Sequence, residues 1–203
     1  PYIPPMVEQM KADGHAYISD GALVVDVAEE GDKVEVPPCL ILKSDGAAQY
    51  ETTDLATIVE REQDYAPDRI IYLADKRQEL HFTRVFRCAY KTGLVDKDKC
   101  SLEYIGFGTM NGKDGRPFKT REGGVLRLEY LLKEVTDAVY EKSRSNSSGN
   151  ISEGELRSIA EKVALAAIKY GDLRNQPAKD YVFDVDRFTA FEGDTGPYIM
   201  YTM

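Results

Sequence analysis

Residues 69–74, Arg-Ile-Ile-Tyr-Leu-Ala, form a short continuous apolar run. Runs of this kind occur in strands buried on both faces of a parallel sheet. A helical pattern follows from about Lys76 to Lys91, with Leu80, Val85, Phe86 and Ala89 apolar and Gly93 placed to end it. The segment 101–107 then offers a second extended stretch. Strand, helix, strand order predicts an α/β domain with a parallel sheet, because parallel neighbours need a long crossover and a helix supplies it.

Upstream, HAYIS and ALVVDV flank Asp20-Gly21, a hairpin turn signal, and CLILK follows the Pro37-Pro38 break. Residues 1–42 therefore read as a β-rich segment. A turn at Asp45-Gly46 leads into a helix with Thr52 or Thr53 as its expected N-cap and Leu55, Ile58, Val59 and Glu62 at helical spacing. Downstream, Leu128, Leu131, Leu132, Val135 and Val139 mark an amphipathic helix, expected to end at the small polar loop 143–150. Ser152 and Glu155 have capping-box spacing for another helix, reaching about Asp172, with Ile159, Val163, Ala167 and Tyr170 inward. The last thirty or so residues are aromatic-rich and less regular.

At 203 residues the chain is long enough for one good core or two small ones. No apolar run reaches the length of a membrane span and no signal peptide precedes the first element, so the expected location is the cytoplasm. Cys39, Cys88 and Cys100 lack Cys-x-x-Cys spacing, and an odd count argues against a disulfide framework or a structural zinc site. With His15 and His81 the sole histidines, no metal site is expected. Asn146-Ser147-Ser148 matches a glycosylation sequon that has no secretory context. A net charge of -9 speaks against generic coating of nucleic acid, though not against a partner held by one basic patch. The chain begins at Pro1 and stops at Met203 in an unfinished pattern, which reads as a piece of a longer protein.

Against this acidic background, residues 106–124 (GFGTMNGKDGRPFKTREGG) hold six glycines and four cations. Glycines let the backbone approach a ligand and turn N–H groups toward phosphate oxygens, while Lys113, Arg116, Lys119 and Arg121 supply countercharge. Asp114-Gly115 is equally a turn signal, and a solvated cationic hairpin would share this composition.

Ligands of α/β sheets collect at the carboxyl ends of strands, so polar groups just past a strand matter most. Tyr50 and Asp54 stand at a strand-to-helix junction, where a carboxylate can accept a guanidinium fork and a phenol can offer a face. Asp54 can instead simply complement the helix N-terminus. Asp75, Gln78 and His81 follow the apolar strand; Gln78 can bond an amine or guanidinium, and His81 can reach a nucleotide. The plain alternative is a helix start at Asp75, a surface glutamine and a packed histidine. If the glycine-rich loop closes on a triphosphate, Lys119, Arg121 and Lys113 stabilise charge on the leaving pyrophosphate without a covalent step.

Together, KSDGAAQYETTDLA (43–56), RIIYLADKRQELHF (69–82), GFGTMNGKDGRPFKTREGG (106–124) and FEGDTGPYIMY (191–201) resemble the class I arginyl-tRNA synthetases, in that family's order. The resemblance implies ATP-dependent activation of arginine and transfer to the tRNA for arginine. It places Tyr50, Asp54 and Gln78 where the family recognises the amino acid, with Asp54 facing the guanidinium. Residues 117–123 fall where other class I synthetases carry their Lys-Met-Ser-Lys-Ser loop, with Thr120 in place of the second lysine. His81, Gly106, Phe118, Lys119, Thr120 and Arg121 then belong to ATP, and magnesium accompanies the nucleotide.

The family's His-x-Gly-His signature occurs nowhere in the chain. The expected fold is therefore the second half of a Rossmann-like parallel-sheet nucleotide-binding domain, with a small β-rich segment at the N-terminus and helices at the C-terminus. Residues 1–42 are read as an insertion remnant, 43–172 as the catalytic half, and 173–203 as a linker and the start of the helical anticodon-binding domain. Such a fragment is expected to be inactive alone and prone to self-association through its open edge, its parent monomeric and without membrane contact. The alternative is a non-catalytic α/β module binding a nucleotide or partner through the same loop.

Overall fold

The computed structural model describes residues 1–116, 127–146 and 151–202. These divide into two compact units, Pro1–Gly106 and Phe107–Met203.

The first unit opens with a helix that the sequence reading omitted, α1 (Ile3–Ala12). Proline in its first turn suits the already unpaired N–H groups there, and Met6, Val7 and Met10 form its buried face. Strands β1 (Ala16–Ser19) and β2 (Ala22–Val25) make the expected hairpin around Asp20-Gly21. Strand β3 (Cys39–Leu42) pairs antiparallel with β2 across a bulge between Leu23 and Val24. A tight turn at Lys43–Ala47, with Gly46 at φ +80°, then returns the chain toward helix α2 (Tyr50–Tyr65).

The N-cap of α2 is Gln49 rather than Thr52 or Thr53. Thr52 lies inside the first turn, where its hydroxyl accepts from the Gln49 N–H at 3.1 Å and donates to the Ile41 carbonyl. One side chain thus caps the helix and ties it to β3, which a residue outside the helix could not do.

Strand β4 (Arg69–Asp75) passes through a 3₁₀ turn (Lys76–Gln78) into helix α3 (Glu79–Lys91), and strand β5 (Ser101–Phe107) pairs with β4. The Ser101 N–H donates to the Asp68 carbonyl at 2.9 Å, so the two strands start side by side and run the same way. This is the expected β-α-β unit. Helix α3 ends in a Schellman motif, Leu94 N–H to Ala89 O and Gly93 N–H to Tyr90 O, with Gly93 at φ +68°.

The expectation that β4 is buried on both faces is corrected. Ile70 is buried, whereas Ile71 and Leu73 are 44% and 68% exposed, so among the described residues β4 is covered on one side. On that side Tyr72 packs on Phe82 and Phe86, with ring centroids 4.9 and 5.4 Å apart. Leu80 is also exposed; the inward face of α3 is Phe82, Val85, Phe86, Cys88 and Ala89. One core joins α1, β2, β3, α2, α3 and Ile70.

The second unit contains β6 (Met110–Asn111), α4 (Leu128–Asn146), α5 (Glu153–Leu173), β7 (Tyr181–Val182), α6 (Val185–Phe188) and α7 (Gly196–Thr202). Strands β6 and β7 pair in parallel. Its core is Leu131, Val135 and Val139 of α4 against Ala160, Val163 and Ala164 of α5, closed by Phe183. Helix α4 runs through Asn146, so residues 143–146 of the expected loop are helical. Ser152 caps α5 as expected, its hydroxyl accepting from the Glu155 N–H. The inward register differs: Leu156, Ala160, Val163, Ala164, Ala167 and Gly171 are buried, while Ile159 faces solvent and Tyr170 is half-buried.

Candidate functional site

The heads of α2 and α3 build the candidate site. Acids at 51 and 54 on α2 meet bases at 84 and 81 on α3, with matched spacing of three residues. Arg84 Nη2 lies 2.5 Å from Glu51 Oε1, and His81 Nε2 lies 2.6 Å from Asp54 Oδ2. Pairing 51 with 84 and 54 with 81 makes the helices antiparallel at this contact. The carboxylate accepts, so His81 carries its proton on Nε2.

Glu51 is almost wholly buried, and Arg84 also donates to the Pro38 carbonyl at 3.5 Å. Asp54 is more open, its side chain 31% exposed against 18% for His81. Its carboxylate engages α3 rather than the N-terminus of its own helix. The His81 ring meets Phe82 edge-on at 5.0 Å, and Phe82 stacks on Tyr104 at 5.2 Å. Beneath them, burial pushes the Tyr72 phenol up, Arg61 over its ring counters this, and the Asp54 carboxylate adds to it.

Tyr50 is 80% exposed, one turn before Asp54 on α2, and Gln78 is exposed, one turn before His81 on α3. Because the helices pair antiparallel, these two side chains flank the Asp54–His81 contact from opposite sides. The structure thus joins Asp54 to His81 directly and sets Tyr50 and Gln78 on either side. Asp75 caps the 3₁₀ turn and is held by Arg77 at 2.8 and 2.7 Å, which keeps its carboxyl at about pKa 2.

At the carboxyl edge of the parallel pair, Tyr104 Oη donates to the Asp75 carbonyl at 2.6 Å. A Cβ on Gly106 would stand 3.1 Å from the Lys76 Cα, so glycine keeps this edge open to close backbone approach.

In the second unit Gly115 has φ +72° and its N–H bonds the Gly112 carbonyl, so Asp114-Gly115 is a turn. Lys113 lies 3.2 Å from Asp184 and 3.9 Å from Asp186, at the cap of α6. Phe118, Lys119, Thr120 and Arg121 lie outside the described residues. A cavity of about 310 Å³ in this unit is lined by Tyr170, Arg174, Tyr181, Arg187 and Phe188, and holds none of the residues nominated from sequence.

Sequence reasoning missed the Glu51–Arg84 link and the partnership of Asp54 with His81. The legible signal was the repeated spacing of acids on one helix and bases on the other, which gains meaning only once the helices are known to be neighbours.

Comparison with known proteins addresses the whole chain. Residues 1–185 match the family described as tRNA synthetases class I (R), catalytic domain. The chain is 62% identical to the arginine–tRNA ligase of Agathobacter rectalis, over all of this chain and 34% of that protein. It is 58% identical to that of Alkaliphilus oremlandii, again over all of this chain and 34% of the relative. It therefore spans about a third of the length of these curated relatives. Among solved structures, Plasmodium falciparum arginyl-tRNA synthetase superposes with a TM-score of 0.80 at 26% identity, over 99% of this chain and 32% of that one. The Thermus thermophilus enzyme superposes at 0.72 and 20% identity over 98% of this chain and 38% of that one, a likeness of fold. The chain belongs to the class I arginyl-tRNA synthetase family, within the family's catalytic domain.

Proposed function

We propose that these 203 residues form one side of the active site of an arginine–tRNA ligase. In the full protein, arginine and ATP give arginyl-adenylate and pyrophosphate, and the arginyl group then passes to the tRNA for arginine with release of AMP. The observation that carries this reading is the Asp54 carboxylate, half-open at the head of α2 and bonded through one oxygen to an imidazole. No arginine or lysine pairs with it among the described residues, so its other lone pairs remain for a guanidinium fork. The names of the relatives support the choice of amino acid.

Tyr50 and Gln78 then hold the rest of the amino acid from either side of Asp54. The carboxyl edge at Gly106 takes the nucleotide, with Phe118, Lys119, Thr120 and Arg121 closing on it and Lys113 adding charge. Among the described residues no cluster of three His, Cys, Asp or Glu forms a protein cage for a cation. Magnesium in this reading is held through the ATP phosphates. Residues 1–42 are an insertion packed on the catalytic half formed by 43–172, and 173–203 lead toward the anticodon-binding domain. The protein works in the cytoplasm, and no helix among the described residues is long and apolar enough to cross a membrane.

The test is aminoacylation by the full-length protein with ATP, labelled arginine and tRNA. Asp54→Ala is expected to lower kcat/KM for arginine by about a hundredfold or more, some 2.7 kcal/mol of lost transition-state binding. A parent that charges no arginine, or a variant that charges it normally, sinks the assignment.

A further inference from the structure

We propose that His81 is a positioning residue for arginine selection: its Nε2–H fixes the Asp54 carboxylate, and it must be neutral for the guanidinium to bind. This rests on the reading of Asp54 given above. The two links between α2 and α3 differ in kind. Glu51–Arg84 is a permanent ion pair whose side chains are 11% and 20% exposed, and it fastens the helices by itself. One turn away, where a second arginine would serve equally well as a fastener, the chain places a histidine. A fixed cation there would neutralise Asp54 and repel an incoming guanidinium. A neutral imidazole instead donates one hydrogen bond, orients the carboxylate and leaves its charge for the substrate.

The ring is held for this task. Phe82 meets it edge-on at 5.0 Å, and Phe82 is itself fixed between Tyr72 and Tyr104. The charged or titratable groups around the pair are Tyr72 of β4, Arg61 and Glu51 of α2, Tyr104 of β5, and Glu79 and Arg84 of α3. Burial pushes both phenols up, so they stay neutral, and the arginines stay charged. Between about pH 5.5 and 8 a histidine is the side chain of this set suited to change charge. Protonation of His81 would put two cations on one carboxylate when arginine arrives.

The experiment measures KM for arginine, KM for ATP and kcat in aminoacylation by the full-length protein, across about pH 5.5 to 8. The variants are His81→Phe, His81→Gln and Asp54→Asn. The parent is expected to lose affinity for arginine toward acid pH while KM for ATP holds. His81→Phe, which lacks the donor, raises KM for arginine about tenfold or more and leaves KM for ATP unchanged. His81→Gln, whose amide can reproduce the Nε2–H, recovers most of that loss relative to His81→Phe and flattens the pH profile. The proposal is overturned if His81→Phe raises KM for ATP instead, or if His81→Gln keeps the parent's pH slope. It is also overturned if both His81 variants leave KM for arginine unmoved while Asp54→Asn raises it. Normal charging by Asp54→Asn would instead remove the underlying reading of Asp54.

Discussion

A single hydroxyl joins β3 to α2. Thr52 is fully buried, accepts from the Gln49 N–H and donates to the Ile41 carbonyl. Thr52→Val keeps the volume but strands a buried donor and a buried acceptor. We expect it to cost about 1–3 kcal/mol, read as a lower urea midpoint at unchanged slope. A loss under about 0.5 kcal/mol would show that the hydroxyl is dispensable. Asp32 plays a comparable part on the other side of α3, taking both Arg87 terminal nitrogens at 2.8 and 2.7 Å and the Glu29 N–H at 2.9 Å. These bonds, the guanidinium first, lower its pKa from 3.8 to about 2. A depressed carboxyl stabilises the fold above its unfolded pKa, and that stability disappears as pH falls through the folded value. Asp32→Asn should therefore melt below the parent near pH 6, with the gap shrinking between 3.8 and about 2. A gap independent of pH would mean that the charge contributes nothing. Neither residue was marked by the sequence, since Thr52 reads as a cap and Asp32 as a loop acid until the Ile41 carbonyl and Arg87 are brought to them.

At the level of elements, periodicity located the long helices and misjudged their faces by a residue or so. In α5 it chose Ile159, the larger apolar side chain, whereas the packed face is mostly small: Ala160, Ala164, Ala167 and Gly171. Small residues are buried here because other parts of the unit come close. A Cβ on Gly171 would fall 1.8 Å from the Phe188 ring, and one on Gly196 would fall 2.2 Å from the Ala166 carbonyl oxygen. Gly196→Ala must push α7 away from α5, and should destabilise the second unit by about 1–3 kcal/mol. Gly154, in the first turn of α5, has no atom within 4 Å of its Cβ position and no positive φ. Gly154→Ala should therefore raise stability by about 0.4–1 kcal/mol. Thermal melts of the two variants should move in opposite directions; movement in the same direction would refute the packing argument.

Across the molecule, the sheet face that carries Ile71, Leu73 and Ile105 is the notable surface, these side chains being 44%, 68% and 40% exposed. Their alternation on neighbouring strands makes one apolar patch, and such patches drive association. The 203-residue chain is expected to show a mass by static light scattering that rises with concentration. The double substitution Leu73→Lys and Ile105→Lys should return it to a monomer. A parent monomeric at every concentration, or a double variant that associates as strongly, would exclude this face.

What the sequence determined alone was whatever depends on nearest neighbours along the chain. The β1–β2 hairpin follows from Asp20-Gly21, the α3 terminus from Gly93, the α5 cap from Ser152, and the β4-α3-β5 order from the spacing of apolar runs. The motifs at 43–56 and 69–82 also carried the family from residue identity. Only the tertiary structure decided that Asp54 faces His81, that Glu51 is buried on Arg84, and that β4 is covered on one side. Side chains 27 and 33 residues apart meet because β3 and β4 deliver two helices to one core. No local pattern encodes that distance, since the burial that makes such a meeting favourable exists only after both helices have packed.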